Sequence, residues 1–159
     1  MKSTIITIVV IFLFFALLFT GGFYGIFLTA QGEPTKILDS PAKLSSEKLW
    51  FLIQKWRISQ RLQPYIKNQN ICKLANLRLP EIMVNFSHEH FLDHSHYREI
   101  CPQNNCLLGE NLSMNALGEQ STLTGWLNSP EHLKNLKANY QYSCIACSNS
   151  YCVQEFANF

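Results

Sequence analysis

Charged side chains are scarce in this chain: they make up 15% of 159 residues, with a formal net charge of +2. No stripe of Lys and Arg stands out, which argues against nucleic acid as a partner. There is no internal repeat, so the sequence does not read as a solenoid or propeller. No low-complexity tract occurs beyond the apolar N-terminus. A strained, glycine-flanked serine elbow is also missing. Ser87 and Ser129 adjoin histidines but lack that frame, so a serine hydrolase is not indicated.

What is present begins with apolarity. Hydrophobic residues reach 47%, and the N-terminus inflates the figure. Ile5 to Thr29 carries no charge, and Ile5 to Phe19 is almost unbroken Ile, Val, Leu and Phe. A helix needs about 20 apolar residues to cross the hydrocarbon core, so residues 5–29 read as a transmembrane anchor. A cleaved signal peptide is the alternative. Its apolar region is shorter, about 7–15 residues, and ends in a small-x-small site, which Leu28 before Ala30 matches poorly. Lys2 and the free amine put residues 1–4 in the cytoplasm and the rest outside. Residues 30–45, with Gly32, Pro34 and Pro41, read as a linker. One domain, residues 46–159, follows.

Six cysteines suit an oxidising compartment. Cys144-Ile-Ala-Cys147 invites a zinc or redox reading. Its strand-like surroundings lack the helix N-terminus that would activate a thiol, so disulfides are expected instead.

Ser45 or Ser46 is placed to cap a first helix, whose apolar face carries Leu49, Trp50, Leu52, Ile53 and Trp56. A second helix starts near Asn70, with Ile71, Leu74, Ala75 and Leu77 on one face and Lys73 and Arg78 elsewhere. Pro80 is expected to kink or interrupt it. Ser87 to Cys106 is polar and rich in His, and reads as irregular. Leu107 to Met114 has room for a short extended piece. Glu119 or Ser121 opens a helix running to about Asn128, and Pro130 opens a further turn from Glu131 to Leu136.

Tyr142 to Cys147 and Tyr151 to Phe156 are strand-like and read as a hairpin. If Asn149 and Ser150 are its central residues, Cys147 faces Cys152. Cys101 and Cys106 bracket a short loop they could close. Cys72 would then join Cys144, with Cys152 as the competing partner. Helices first and the clearest strands last indicate the α+β class.

Four phrases carry a resemblance. They are Phe86-Ser87-His88, Gly109-Glu110-Asn111-Leu112, Trp126-Leu127-Asn128-Ser129-Pro130-Glu131-His132, and the closing Tyr151 to Ala157. In this order and spacing the chain resembles the CAP superfamily of secreted cysteine-rich, antigen 5 and pathogenesis-related type (SCP) domains. It looks closest to the short bacterial branch. The resemblance covers about Glu47 to Phe159 and implies a three-layer α-β-α sandwich. It also implies a cleft where two histidines and two acidic residues converge. His88, Glu110 and His132 match three of those four, while Ser129 stands where larger members carry the second acid. Glu131 is adjacent but points elsewhere on a helix, and Glu119 is a further acid without motif support.

His88, Glu110 and His132 form a candidate metal set, since zinc accepts two imidazoles and a carboxylate and leaves a position for water. The reading favoured here is a binding or interaction module, with a cleft able to hold a divalent metal such as zinc. Its partner would be a lipid, an envelope component or a protein. The alternatives are a metal-dependent hydrolase using His88, Glu110 and His132, and a disulfide-stapled structural domain. Enzymatic activity is the less favoured reading. Asn111 and Trp126 are expected to be structural. His90, His94 and His96, close to His88, could form a surface metal site or a solvated loop. The sequons at Asn85 and Asn111 fall inside the motifs and read as chance, consistent with a bacterial source.

Overall fold

The structure, a computed structural model, describes residues 43–91, 100 and 106–159. They belong to a compact unit that runs Ser40–Phe159. No helix among the described residues is long and apolar enough to cross a membrane. The expected anchor, residues 5–29, lies outside them, as do Cys101, His94 and His96.

Helix α1 spans Ser46–Ser59. Ser45 caps it, its hydroxyl accepting from the Lys48 amide at 3.3 Å. The backbone N–H of Ser45 donates to Glu119 at 2.9 Å, which ties the helix start to a distant segment. Leu49, Ile53 and Arg57 recur at every fourth position and form the buried face. Arg57 is buried without a carboxylate partner among its hydrogen bonds. It donates to the carbonyls of Gln63, Leu136 and Ala138 and to the Tyr65 hydroxyl. Its cation thus sits at the C-terminal end of a later helix, where free carbonyls favour positive charge.

A short strand β1, Ile66–Lys67, precedes α2, Gln69–Val84. Asn68 caps α2 by accepting from the amides of Asn70 and Ile71. Of the two outcomes expected at Pro80, a kink or an interruption, the interruption does not occur: the helix carries it inside. Both Pro80 and Asn76, whose carbonyl loses its helical donor, are exposed, so water can satisfy that carbonyl. Strand β2 is Leu107–Ser113, α3 is Glu119–Asn128 and α4 is Pro130–Lys137, with Pro130 in the first turn. The chain closes with β3, Tyr142–Ser148, and β4, Tyr151–Asn158. Asn149 takes the left-handed conformation, φ 52°, in the two-residue turn between them.

The strands form one sheet in the order β1-β3-β4-β2. β2 and β4 are antiparallel, as are β3 and β4, while β1 runs parallel to β3. Alternation along the strands makes two cores. Leu112, Ala146, Val153 and Ala157 pack with Ile71, Ala75 and Ile82 of α2. Ile145, Cys152 and Phe156 pack with Leu49 and Ile53 of α1, Leu123 and Trp126 of α3 and Leu136 of α4. Helices therefore cover both faces of the sheet. Disulfides join Cys72 to Cys144 and Cys147 to Cys152, which closes the zinc and redox reading of Cys144-Ile-Ala-Cys147. Cys106 is not a free thiol, but its expected partner Cys101 lies outside the described residues.

Candidate functional site

β2 lies at one edge of the sheet, and its central residues fan out to three neighbours. Gly109 passes under Tyr140 and Asn135. A Cβ there would meet the Tyr140 hydroxyl oxygen at 2.6 Å and Asn135 Oδ1 at 3.3 Å, so only glycine fits without a shift. Asn111 is fully buried, as expected for a structural side chain. Its Nδ2 donates to the His132 carbonyl at 3.2 Å, and its Oδ1 accepts from Asn135 at 2.9 Å. Asn135 also donates to the Glu110 carbonyl at 3.1 Å. These bonds lash α4 to β2 and set the height of His132. Trp126 is core, and its indole N–H donates to the Leu112 carbonyl at 2.8 Å.

Glu110, between Gly109 and Asn111, faces α2. Its side chain is 1% exposed, a position a carboxylate holds only with strong partners. Arg78, equally buried, supplies them as a fork: Nε to Oε2 at 2.7 Å and Nη2 to Oε1 at 3.2 Å. Arg78 also donates to Glu81 at 2.5 Å and to the Ser87 carbonyl at 2.9 Å. Arg78 therefore belongs to the buried face of α2, not to its outer side as the sequence suggested. That bond to Ser87 draws the end of α2 back and delivers His88, whose Nδ1 lies 2.8 Å from Glu110 Oε1. A carboxylate only accepts, so Nδ1 carries the hydrogen and Nε2 is left for other partners. Burial alone would raise the Glu110 carboxyl. The hydrogen bonds from His88 and Arg78, and the Arg78 charge, outweigh burial and hold the carboxyl below its ordinary value.

His132 reaches the same place from α4. Its ring centroid is 6.4 Å from that of His88 and 6.5 Å from Trp126. Burial, and then the neighbouring His88, depress its pKa and favour the neutral ring. The two imidazoles and Glu110 are therefore gathered at one edge of the sheet. The two further acids weighed from the sequence, Glu119 and Glu131, are not. Glu119 holds the start of α1, and Glu131 is exposed. Ser129 precedes α4 and offers no charge. His90 is exposed on the loop after His88.

As a direct metal ligand Glu110 does not fit. Both its oxygens already accept hydrogen bonds, and a guanidinium on the same carboxylate repels a second cation. Among the described residues, no group of three His, Cys, Asp or Glu side chains is spaced to hold a metal. The donor set that remains is two imidazoles, one of them oriented by a carboxylate behind it.

Two residues of this neighbourhood were not singled out from the sequence. Arg78 was missed, although its register, four after Leu74 and seven after Ile71, puts it on the apolar stripe. Glu155 was missed as a site residue, although it lies in the closing phrase and strand alternation sets it between Val153 and Ala157.

Neither a family model nor a curated protein sequence matches the chain. Solved structures do. An extracellular SCP-domain protein from Bacillus anthracis is 21% identical with a TM-score of 0.61, over 72% of this chain and 40% of that one. A cysteine-rich secretory protein from Staphylococcus aureus is 17% identical with a TM-score of 0.60, over 72% and 38%. An outer surface protein from Borrelia burgdorferi is 18% identical with a TM-score of 0.58, over 75% of this chain and 98% of that one. The chain thus spans well under half of the first two proteins and nearly all of the third. At these identities the likeness is one of fold: this chain has a fold similar to that of SCP-domain proteins.

Proposed function

We propose that the chain is a CAP-domain protein of the short bacterial type, held outside the cytoplasm by a single membrane span over residues 5–29. It works as a binding module through the cleft between His88 and His132. The likeness to extracellular and surface proteins supports the location. The two described disulfides fit an oxidising compartment.

One observation carries the binding role. The His88 side chain is 56% exposed, yet its Nδ1 is fixed by a buried carboxylate that Arg78 has already neutralised. That arrangement presents Nε2 outward in a set orientation, opposite a second imidazole kept neutral by burial. A divalent cation such as zinc is the guest this chemistry suits. His88 and His132 would hold it, Glu110 would orient His88 from behind, and a lipid, envelope or protein group could complete the shell. The hydrolase reading gains less support. Glu110, the carboxylate it would use, is bound by Arg78 and so is a poor base.

The test is a zinc titration of the full chain in detergent, followed by calorimetry and by NMR of the histidine rings. Zinc is expected to shift both His88 and His132, and His88→Ala or His132→Ala should weaken binding at least tenfold. Zinc binding that ignores both substitutions, or no binding at all, would overturn the metal role.

A further inference from the structure

Ser129 leaves the cleft without its second acid, yet a second carboxyl stands beside Glu110. Glu155 of β4 is the direct partner of Glu110 in the β2–β4 ladder. Alternation puts its side chain on the α2 side of the sheet, between Val153 and Ala157. It is 0% exposed, and neither of its carboxyl oxygens has a hydrogen-bond partner among the described residues. The guanidinium in this layer is already engaged: Arg78 donates to Glu110, Glu81 and the Ser87 carbonyl. One buried cation thus faces two carboxylates before Glu155 is considered. Ionising Glu155 would add a third negative charge with no donor on either oxygen, a state that buried carboxyls avoid by keeping their proton.

We propose that Glu155 is a neutral carboxylic acid at physiological pH. Held on Glu155, its proton keeps a third negative charge away from Arg78 and so preserves the Arg78–Glu110–His88 alignment of the cleft. Two adjacent acids in unlike surroundings divide their roles: Glu110 carries the charge and Glu155 the proton. Burial and then the Glu110 charge push the Glu155 carboxyl well above the usual range, in keeping with this division. The groups that face Glu155 are Arg78 and Glu81 from α2 and Glu110 from β2, with His88 beyond Glu110. Cys144, opposite it on β3, is bonded to Cys72 and does not titrate. An ionised Glu155 would compete with Glu110 for Arg78, and Glu110 would lose its hold on His88. Glu155 is thus a positioning residue that acts through Glu110.

Infrared spectroscopy of the full chain in detergent at neutral pH tests the protonation state. A protonated-carboxyl band that shifts in heavy water is expected, and it should vanish in Glu155→Gln. Denaturant midpoints against pH test the coupling. An acid that holds its proton more tightly when folded contributes stability that is complete below its unfolded pKa, about 4.3, and lost as pH rises toward its folded value. The wild-type midpoint should therefore fall relative to Glu155→Gln as pH rises through that range. Should Glu155→Gln fail to fold, carbon NMR of the wild type decides alone. A glutamate carboxyl carbon at its protonated position at neutral pH supports the proposal, and only ionised positions overturn it. Absence of the band, a band that persists in Glu155→Gln, or parallel midpoint curves would overturn it as well. None of these readouts needs zinc or another guest, so they stand or fall apart from the binding role.

Discussion

Gly109, Glu110 and Asn111 are consecutive residues of an edge strand, and each answers to a different neighbour. Gly109 is the one whose role reduces to space. Its missing Cβ lets Tyr140 approach β2 closely enough for the phenol to donate to the Leu108 carbonyl at 3.2 Å. Gly109→Ala should therefore destabilise the fold by about 1–3 kcal/mol, the usual range for overpacking. The nearest obstacle is the phenolic oxygen at 2.6 Å, with the ring carbon behind it at 3.1 Å. In a Tyr140→Phe background the alanine should cost clearly less, though not nothing. A double-mutant cycle by urea denaturation reads this coupling; equal costs in both backgrounds would show that strand spacing, not the hydroxyl, sets the limit. His88, Glu110 and His132 were legible because each sits in a motif with Gly, Pro, Trp or Phe beside it. Arg78 and Glu155 were not, because a charged residue on an apolar stripe looks like an exception to the pattern. Its meaning appears only once a partner of opposite charge, or a second acid, is found across the layer.

At the scale of elements, helix α2 departs most from what its sequence suggests. Its buried stripe of Ile71, Leu74, Ala75, Arg78 and Ile82 continues through Pro80 without a break. Proline in a helix interior costs about 3 kcal/mol in propensity, so packing on the sheet must outweigh a local preference to stop. Pro80→Ala should stabilise the domain by about 1–2 kcal/mol. The gain falls short of the full propensity difference because alanine also frees the unfolded chain. Thermal and urea unfolding both measure it. A loss of stability instead would mean that the proline shapes the helix end which carries Ser87 and His88. The other helices were readable from caps and apolar spacing, and the β3–β4 hairpin from its turn residues. Strand β1 was not, since two residues, Ile66 and Lys67, make no period. Its identity comes from β3, with which it pairs, and not from its own sequence.

For the whole molecule, the two described disulfides differ in what they restrain. Cys147–Cys152 joins neighbouring strands of one hairpin across a separation of 5 residues. Cys72–Cys144 spans 72 residues and clamps α2 to the sheet. In the chain-entropy picture the long loop contributes about 4 kcal/mol and the short one about 2 kcal/mol. Removing the first as Cys72→Ser with Cys144→Ser should therefore lower the thermal midpoint much further than removing the second as Cys147→Ser with Cys152→Ser. The two losses should also differ in kind. α2 carries Arg78, and Arg78 holds both Glu110 and the Ser87 carbonyl, so a loosened α2 should free His88. The first pair of substitutions should broaden or shift the His88 ring signals even below the unfolding transition. The second should disturb them less, because it leaves the Cys72–Cys144 clamp on α2 in place. If both pairs disturb His88 alike, the cleft depends on overall stability and not on the clamp. If only the first does, the long disulfide sets the geometry of the site as well as the stability of the fold.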